Sequence, residues 1–190
     1  MRQFPPHHPL HHAVSEFWLA EDAYQKMQDI SLSIAEHELL WREVLRRIER
    51  IYGKAKAACC NEPGWAKLNS EVSHLRKTDP LLLYVQQARH ADEHSVQKMA
   101  LPWDPLISIK GNGKGSIVAK FRPWNRTLLP VVNRGVKFDP PKVHLGKDFS
   151  QHLDKGKEET VIVAFLALSF YFDFINLVSI ELYPHIGLQP

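Results

Sequence analysis

Arg89, His90, Asp92, Glu93 and His94 fall together in the run RHADEH, inside a segment that reads DPLLLYVQQARHADEHSV from Asp79 to Val96. An imidazole titrates near neutral pH and can take or give a proton, whereas a guanidinium keeps its charge and grips a phosphate through two parallel hydrogen bonds. Cutting RNA without a metal needs such groups. A base takes the 2′-hydroxyl proton, an acid protonates the leaving oxygen, and positive charge steadies the crowded phosphorane. Arg89 and His94 are the candidates. At 100° per residue, positions five apart on a helix diverge by about 140°, so one copy makes a poor clamp and two facing copies make a better one.

The element that must carry these groups is well signalled. Asp79 can accept from orphan backbone N–H groups at a helix start, and Pro80 loses nothing at the first helical position. Leu81, Tyr84, Val85, Ala88 and Ala91 recur at three- and four-residue steps and draw one apolar stripe down a helix expected to reach about Lys98. Two readings compete for the cluster. His90 and His94, four apart, suit a structural zinc or an adventitious nickel ion, but Ala91 stands where a metalloprotease helix needs glutamate. Arg89 and Glu93 also make an i,i+4 pair of the kind found on any solvated helix end, which asks for no function.

RHADEH resembles the Arg-x4-His signature of HEPN-domain proteins, with His90 in the polar position after the arginine. The order of elements is similar too, with long amphipathic helices before the motif and one apolar helix at the C-terminus. The resemblance implies an all-α bundle, usually dimeric, and in many members a metal-independent ribonuclease whose Arg and His meet across the dimer. It makes His94 the base or acid and Arg89 the phosphate holder; Asp92 and Glu93, which match no catalytic position of the family, are expected to orient them. Some members lack activity, so it also implies an alternative, a non-catalytic RNA- or nucleotide-binding or protein-interaction module. A β insertion is not part of the shared helical core.

Composition sets the frame. At 190 residues the chain can bury a real core as one domain. Its start, MRQFPPHHPLHH, lacks the charged and apolar regions of a secretory signal, so the expected location is cytoplasmic. Cys59 and Cys60, adjacent and unable to close a loop, fit a reducing compartment and are expected to be inert thiols. The net charge of +3 hides an asymmetry. From Pro105 to Lys147 nine bases (Lys110, Lys114, Lys120, Arg122, Arg126, Arg134, Lys137, Lys142, Lys147) face Asp139 alone, about +8 locally and about −5 elsewhere. Such a cluster is the footprint of a polyanion binder, or else a lysine-rich sheet surface that discourages edge pairing.

The remaining elements follow in order. His7, His8, His11 and His12 lie in a Pro- and His-rich stretch expected to be a flexible tail rather than a metal site. A first helix runs from Ala13 to about Asp29 with Glu16, Glu21, Asp22 and Lys26 outward. A second, long helix, capped by Ser31 or Ser33, carries Leu39, Leu40, Trp41, Val44, Leu45, Ile48 and Ile51 on one face and Arg42, Glu43, Arg46, Arg47, Glu49 and Arg50 on the other. Pro63 opens a shorter helix through Trp65, Leu68, Val72 and Leu75. LISIK, GNGKG and SIVAKF read as a hairpin turning at Asn112-Gly113; the glycines lack phosphate-loop spacing. TLLPVV and GVKF are two further strands. Trp103, Phe121, Trp124 and Phe138 alternate with the bases, suited to stacking on nucleotides, although such residues more often pack a small sheet on its helices. Val161–Leu182 is apolar almost throughout. Asp173 and Asn176 in mid-span argue for a helix buried on most sides rather than a membrane anchor.

The expectation is therefore a mainly α protein: a HEPN-like bundle of four to five helices over 13–190, behind a tail at 1–12, with a small antiparallel β insertion at about 103–147. Lys110, Lys114, Lys120, Arg122, Trp124 and Arg126 are its candidate nucleic-acid contacts. The expected activity is metal-independent RNA cleavage in a toxin or defence setting. RNA, a second copy and an antitoxin are the expected partners, with no cofactor and no membrane.

Overall fold

The computed structural model describes residues 5–29, 31–94, 100–102, 110–111, 117–118, 126–128, 131–133, 136–139 and 160–184, with no side chain described at 34, at 92–94 or in the strands before Asn133. It is mainly helical. Five helices are present among these residues: α1 (His11–Met27), α2 (Ile34–Cys59), α3 (Trp65–Thr78), α4 (Pro80–His94) and α5 (Thr160–Leu182).

Local chemistry explains where they begin. Ser33, and not Ser31, caps α2: its hydroxyl accepts from Glu36 N–H at 3.3 Å while the Glu36 carboxylate accepts from Ser33 N–H at 2.8 Å, a reciprocal capping box. Ser31 is engaged by Asp29 instead. Gly64, at φ 90°, turns the chain into α3, a backbone position that favours glycine. Asp79 Oδ1 accepts from Leu81 and Leu82 N–H at 2.9 and 3.0 Å, so α4 starts at Pro80 as its sequence implies.

The core forms around α2. Trp41, Val44, Leu45, Ile48, Ile51 and Ala55 are buried along one stripe, against which α1, α4 and α5 lie. Burying a large apolar side chain stabilises by roughly 1.5–3 kcal/mol, so this stripe outweighs any surface ion pair. Between α1 and α2 the packing is sealed by charge: Glu16, 7 % exposed, accepts from Arg47 at 2.7 Å and Arg50 at 2.8 Å. That corrects the outward placement expected for Glu16; two guanidiniums from the next helix make its burial tolerable. Elsewhere on α2 two i,i+4 pairs are present, Arg42 with Glu38 and Arg47 with Glu43.

The first residues also depart from expectation. Rather than a flexible tail through His12, the chain is seated from His8 (2 % exposed) and Leu10 (0 %), and α1 begins at His11. His8 Nδ1 accepts from Leu10 N–H at 3.1 Å, and its ring meets Tyr183 edge-on at 5.5 Å. Tyr183 hydroxyl in turn donates to Cys59 Sγ at 3.4 Å. Burial pushes the Cys59 thiol up, which suits an inert packing role.

On α3 the register differs by one residue. Leu75, expected inside, is exposed, and Arg76 is buried. Arg76 pairs with Glu49 of α2 and lies 3.9 Å over the Tyr52 ring, whose hydroxyl donates to Asn69 at 2.7 Å. Helix α5 is long and apolar enough to cross a membrane by length and composition, and 44 % of its most apolar window is buried in the protein. Its inner face carries Val163, Ala164, Ala167, Leu168, Tyr171, Phe174, Ile175 and Val178, while Phe165, Leu177 and Ile180 are exposed. Burial on most sides was expected; the helix is instead covered on about half of its surface. His37 and Thr160, 2.7 Å apart and buried, tie its start to the first turn of α2.

Among the described residues between α4 and α5 there are three two-stranded antiparallel pairs: β1 (Ala100–Pro102) with β4 (Arg126–Leu128), β2 (Lys110–Gly111) with β3 (Ile117–Val118), and β5 (Val131–Asn133) with β6 (Val136–Phe138). Strand β1 begins before residue 103 and was not foreseen. The expected turn at Asn112-Gly113 and the end of α4 near Lys98 lie outside the described residues. Phe138 is half-buried against the helical core, the packing alternative for that aromatic.

Two outcomes are expected. Glu49→Ala leaves the Arg76 guanidinium buried without its carboxylate and should cost about 2 kcal/mol, below the ~3–5 for a fully buried pair because Glu49 is partly exposed. The readout is a lower urea midpoint at unchanged slope, part of which Arg76→Leu in the same chain restores. For His8, burial first and then His7 and His11 hold the pKa below the ordinary 6.5. The unfolded chain therefore takes the proton first, so stability present above pH 6.5 is lost as pH falls below it toward the folded value. Urea midpoints at about pH 7 and about pH 5 should differ less for His8→Gln than for the parent chain.

Candidate nucleic-acid site

The last turns of α4 hold the motif. Ala88 and Ala91 are 0 % and 2 % exposed, so this end of the helix lies close against its neighbours, with α2, α3 and α5 all touching α4. Small residues at both positions permit that approach. Arg89 and His90 flank the contact line and are half-buried, and Arg89 Nε is itself buried. His94 is the last described residue of α4. The side chains of Asp92, Glu93 and His94 lie outside the described residues, so of the five motif residues the structure displays Arg89 and His90, adjacent and about 100° apart around the axis.

One contact brings the strand region to this helix. Asn133 of β5 donates from Nδ2 to Gln87 Oε1 of α4 at 2.7 Å, two residues before Arg89, and β5 runs along α4. An amide pair of this kind holds two elements in register through a directional bond, where apolar packing alone would let them slide. Strand β5 is thereby fastened beside α4. Lys110 belongs to β2 and Arg126 to β4, with side chains not described; Lys114, Lys120, Arg122 and Trp124 lie outside the described residues. Lys137, on β6, is exposed and pairs with Asp139 at 2.9 Å, which reduces the positive charge it can offer.

Among the described residues no group of three His, Cys, Asp or Glu side chains converges as a metal site would. The cluster that sequence reasoning missed is the one around Arg76. Burial pushes the Tyr171 phenol well above its ordinary value, with the Arg76 guanidinium working the other way, and Tyr52 also lies 3.0 Å from Ser73. Tyr171 thus stays a neutral phenol. Because Glu49 already neutralises Arg76, the group cross-links α2, α3 and α5 and offers no charge to a ligand. Its signal in the sequence is faint: Trp65, Val72 and Arg76 fall on one side of α3, and an arginine on an apolar line reads as flanking it.

If the Gln87–Asn133 bond fastens the strand region to α4, the two residues should be coupled. A double-mutant cycle with Gln87→Ala and Asn133→Ala is expected to give a coupling of about 0.5–1.5 kcal/mol in urea denaturation. Additive losses would mean that other contacts hold β5 in place. Compared with protein-family models, with curated proteins and with solved structures, the chain matches none.

Proposed function

We propose that the chain is a metal-independent endoribonuclease of HEPN type that acts as a homodimer, with Arg89 and His94 as its working groups and His90 in the polar position. The observation that supports this reading is the RHADEH run on α4, bonded at Gln87 to Asn133 of β5 in a chain whose Pro105–Lys147 sequence is strongly basic. Positive charge next to an acid–base pair is what a ribose-linked phosphate requires. In the reaction one imidazole takes the proton of the RNA 2′-hydroxyl, whose oxygen attacks the adjacent phosphorus. The bond to the 5′ oxygen breaks, and that oxygen receives a proton from a second imidazole. Arg89 holds the non-bridging oxygens as charge builds on them. The products are a 2′,3′-cyclic phosphate and a 5′-hydroxyl. Two copies supply two imidazoles and two guanidiniums, which removes the 140° divergence within one helix. The family resemblance adds a toxin or defence setting in the cytoplasm and an antitoxin as a further partner.

A second reading rests on Arg89, whose Nε is buried, so that part of its guanidinium is withdrawn from an incoming phosphate. On that reading the chain binds RNA or a nucleotide, or another protein, without cutting.

The test incubates purified protein with end-labelled RNA in EDTA, beside Arg89→Ala and His94→Ala. The ribonuclease reading expects cleavage that survives EDTA and falls at least ~100-fold in each variant, the scale of a lost general acid–base group. RNA retained in a gel shift without cleavage supports the binder. Activity abolished by EDTA, or intact in both variants, overturns the assignment.

A further inference from the structure

A groove of about 600 Å³ runs between α1 and α5 on a face that the motif does not use. Its walls are aromatic: Trp18, 39 % exposed, and Tyr24 from α1 stand opposite Phe165, 51 % exposed, and Phe172 from α5. The Tyr24 and Phe165 rings meet at 6.2 Å. Two carboxylates are set into this apolar surface, Glu21 on one wall and Asp173 on the other. Glu21 accepts a 2.7 Å bond from Gln25, a neutral partner, and helps to push the Tyr24 phenol up. Asp173 is exposed and, among the described residues, no cation neutralises it. Helix α5 contains no Lys or Arg, and α1 has one, Lys26, which is taken by Asp22 at 2.6 Å.

We propose that this groove docks a cationic amphipathic helix of another protein, one that lays apolar side chains on Trp18, Phe165 and Phe172 and places a lysine or arginine between Glu21 and Asp173. Charge decides among the occupants. An isologous contact between two copies presents the same patch from both sides, so it would bring Glu21 and Asp173 against their own equivalents with no base to separate them. A membrane would receive the aromatic rings but would bury a carboxylate in the middle of the helix, where an ionised acid is costly. A helix with an apolar face and one basic column satisfies both features at once, and the burial of the aromatics strengthens the ion pair by removing water. The groove is long enough: Phe17 to Gln28 on α1 spans about 16 Å, or three helical turns. The dimer proposed for the motif uses α4 and is a separate surface, so this inference stands or falls independently of the ribonuclease reading.

The experiment uses the full chain and two fluorescein-labelled helical peptides of about four turns that share one leucine-rich face and differ in a single column, lysine in one and glutamate in the other. By anisotropy the lysine peptide should bind at least tenfold tighter than the glutamate peptide. Asp173→Asn with Glu21→Gln should erase that preference while both peptides still bind, and Phe165→Glu should abolish binding of both, with circular dichroism showing both variants folded. Equal affinity of the parent chain for the two peptides, or binding of neither, overturns the proposal. So does a dimer in light scattering, or flotation with phosphatidylcholine–phosphatidylglycerol vesicles, that disappears in Phe165→Glu, since a second copy or a lipid surface would then be what covers the groove.

Discussion

The apolar stripe of α2 is the constraint from which the rest of the fold is built. Trp41, Val44, Leu45, Ile48, Ile51 and Ala55 repeat at helical spacing over more than four turns, and each is 0–1 % exposed. A helix of this length cannot hide such a stripe by itself, so three others close on it: α1 beside it, α4 and α5 across it. Once the stripe is covered, the polar side chains beside it have their positions dictated. Glu16 must lie where Arg47 and Arg50 can reach it, and Arg76 where Glu49 and Tyr52 can. These ion pairs therefore select how the helices sit against one another; the free energy that holds them together comes from the stripe.

How much of this is readable without coordinates depends on the range of the interaction. The α2 stripe, a serine cap at position 31 or 33 and the Asp79–Pro80 helix start are visible in the sequence because each is decided within a few residues, and the structure selects Ser33. Glu16, Arg76 and His8 are not, and for one common reason. Each is a polar or charged side chain buried by partners far away in the chain: Arg47 for Glu16, Glu49 for Arg76, Tyr183 for His8. A local pattern assigns such residues to solvent, since burial without the partner would be prohibitive. The choice between Leu75 and Arg76 at the edge of α3 turns on Glu49 and Tyr52, which no window around residue 75 contains.

The candidate site divides along the same line. That Ala88 and Ala91 face inward, with Arg89 and His90 at the border, follows from helical periodicity and is what the structure has. The contact between Gln87 and Asn133 could not be read, because two amides separated by this much chain give no local signal. Yet it is this bond that ties β5 to the helix carrying the Arg-x4-His run.

Charge is distributed unevenly along the chain. The stretch from Pro105 to Lys147 carries about +8, while the remainder of the chain carries about −5, and α5 contributes only acids to it. On the proposed reading, a polyanion is drawn to the basic stretch and repelled from the acids of the α1–α5 groove. A cationic helix meets the opposite gradient. Within about 10 Å in 0.1 M salt these preferences are not screened, so they act on the final approach of each partner and not on distant encounters. The polyanion and the cationic helix would therefore not compete for one surface. A groove carrying two carboxylates and no base is a weak choice for self-association but a selective one for a partner of opposite sign. The apolar rings around it provide contact area, and Glu21 with Asp173 provide the discrimination.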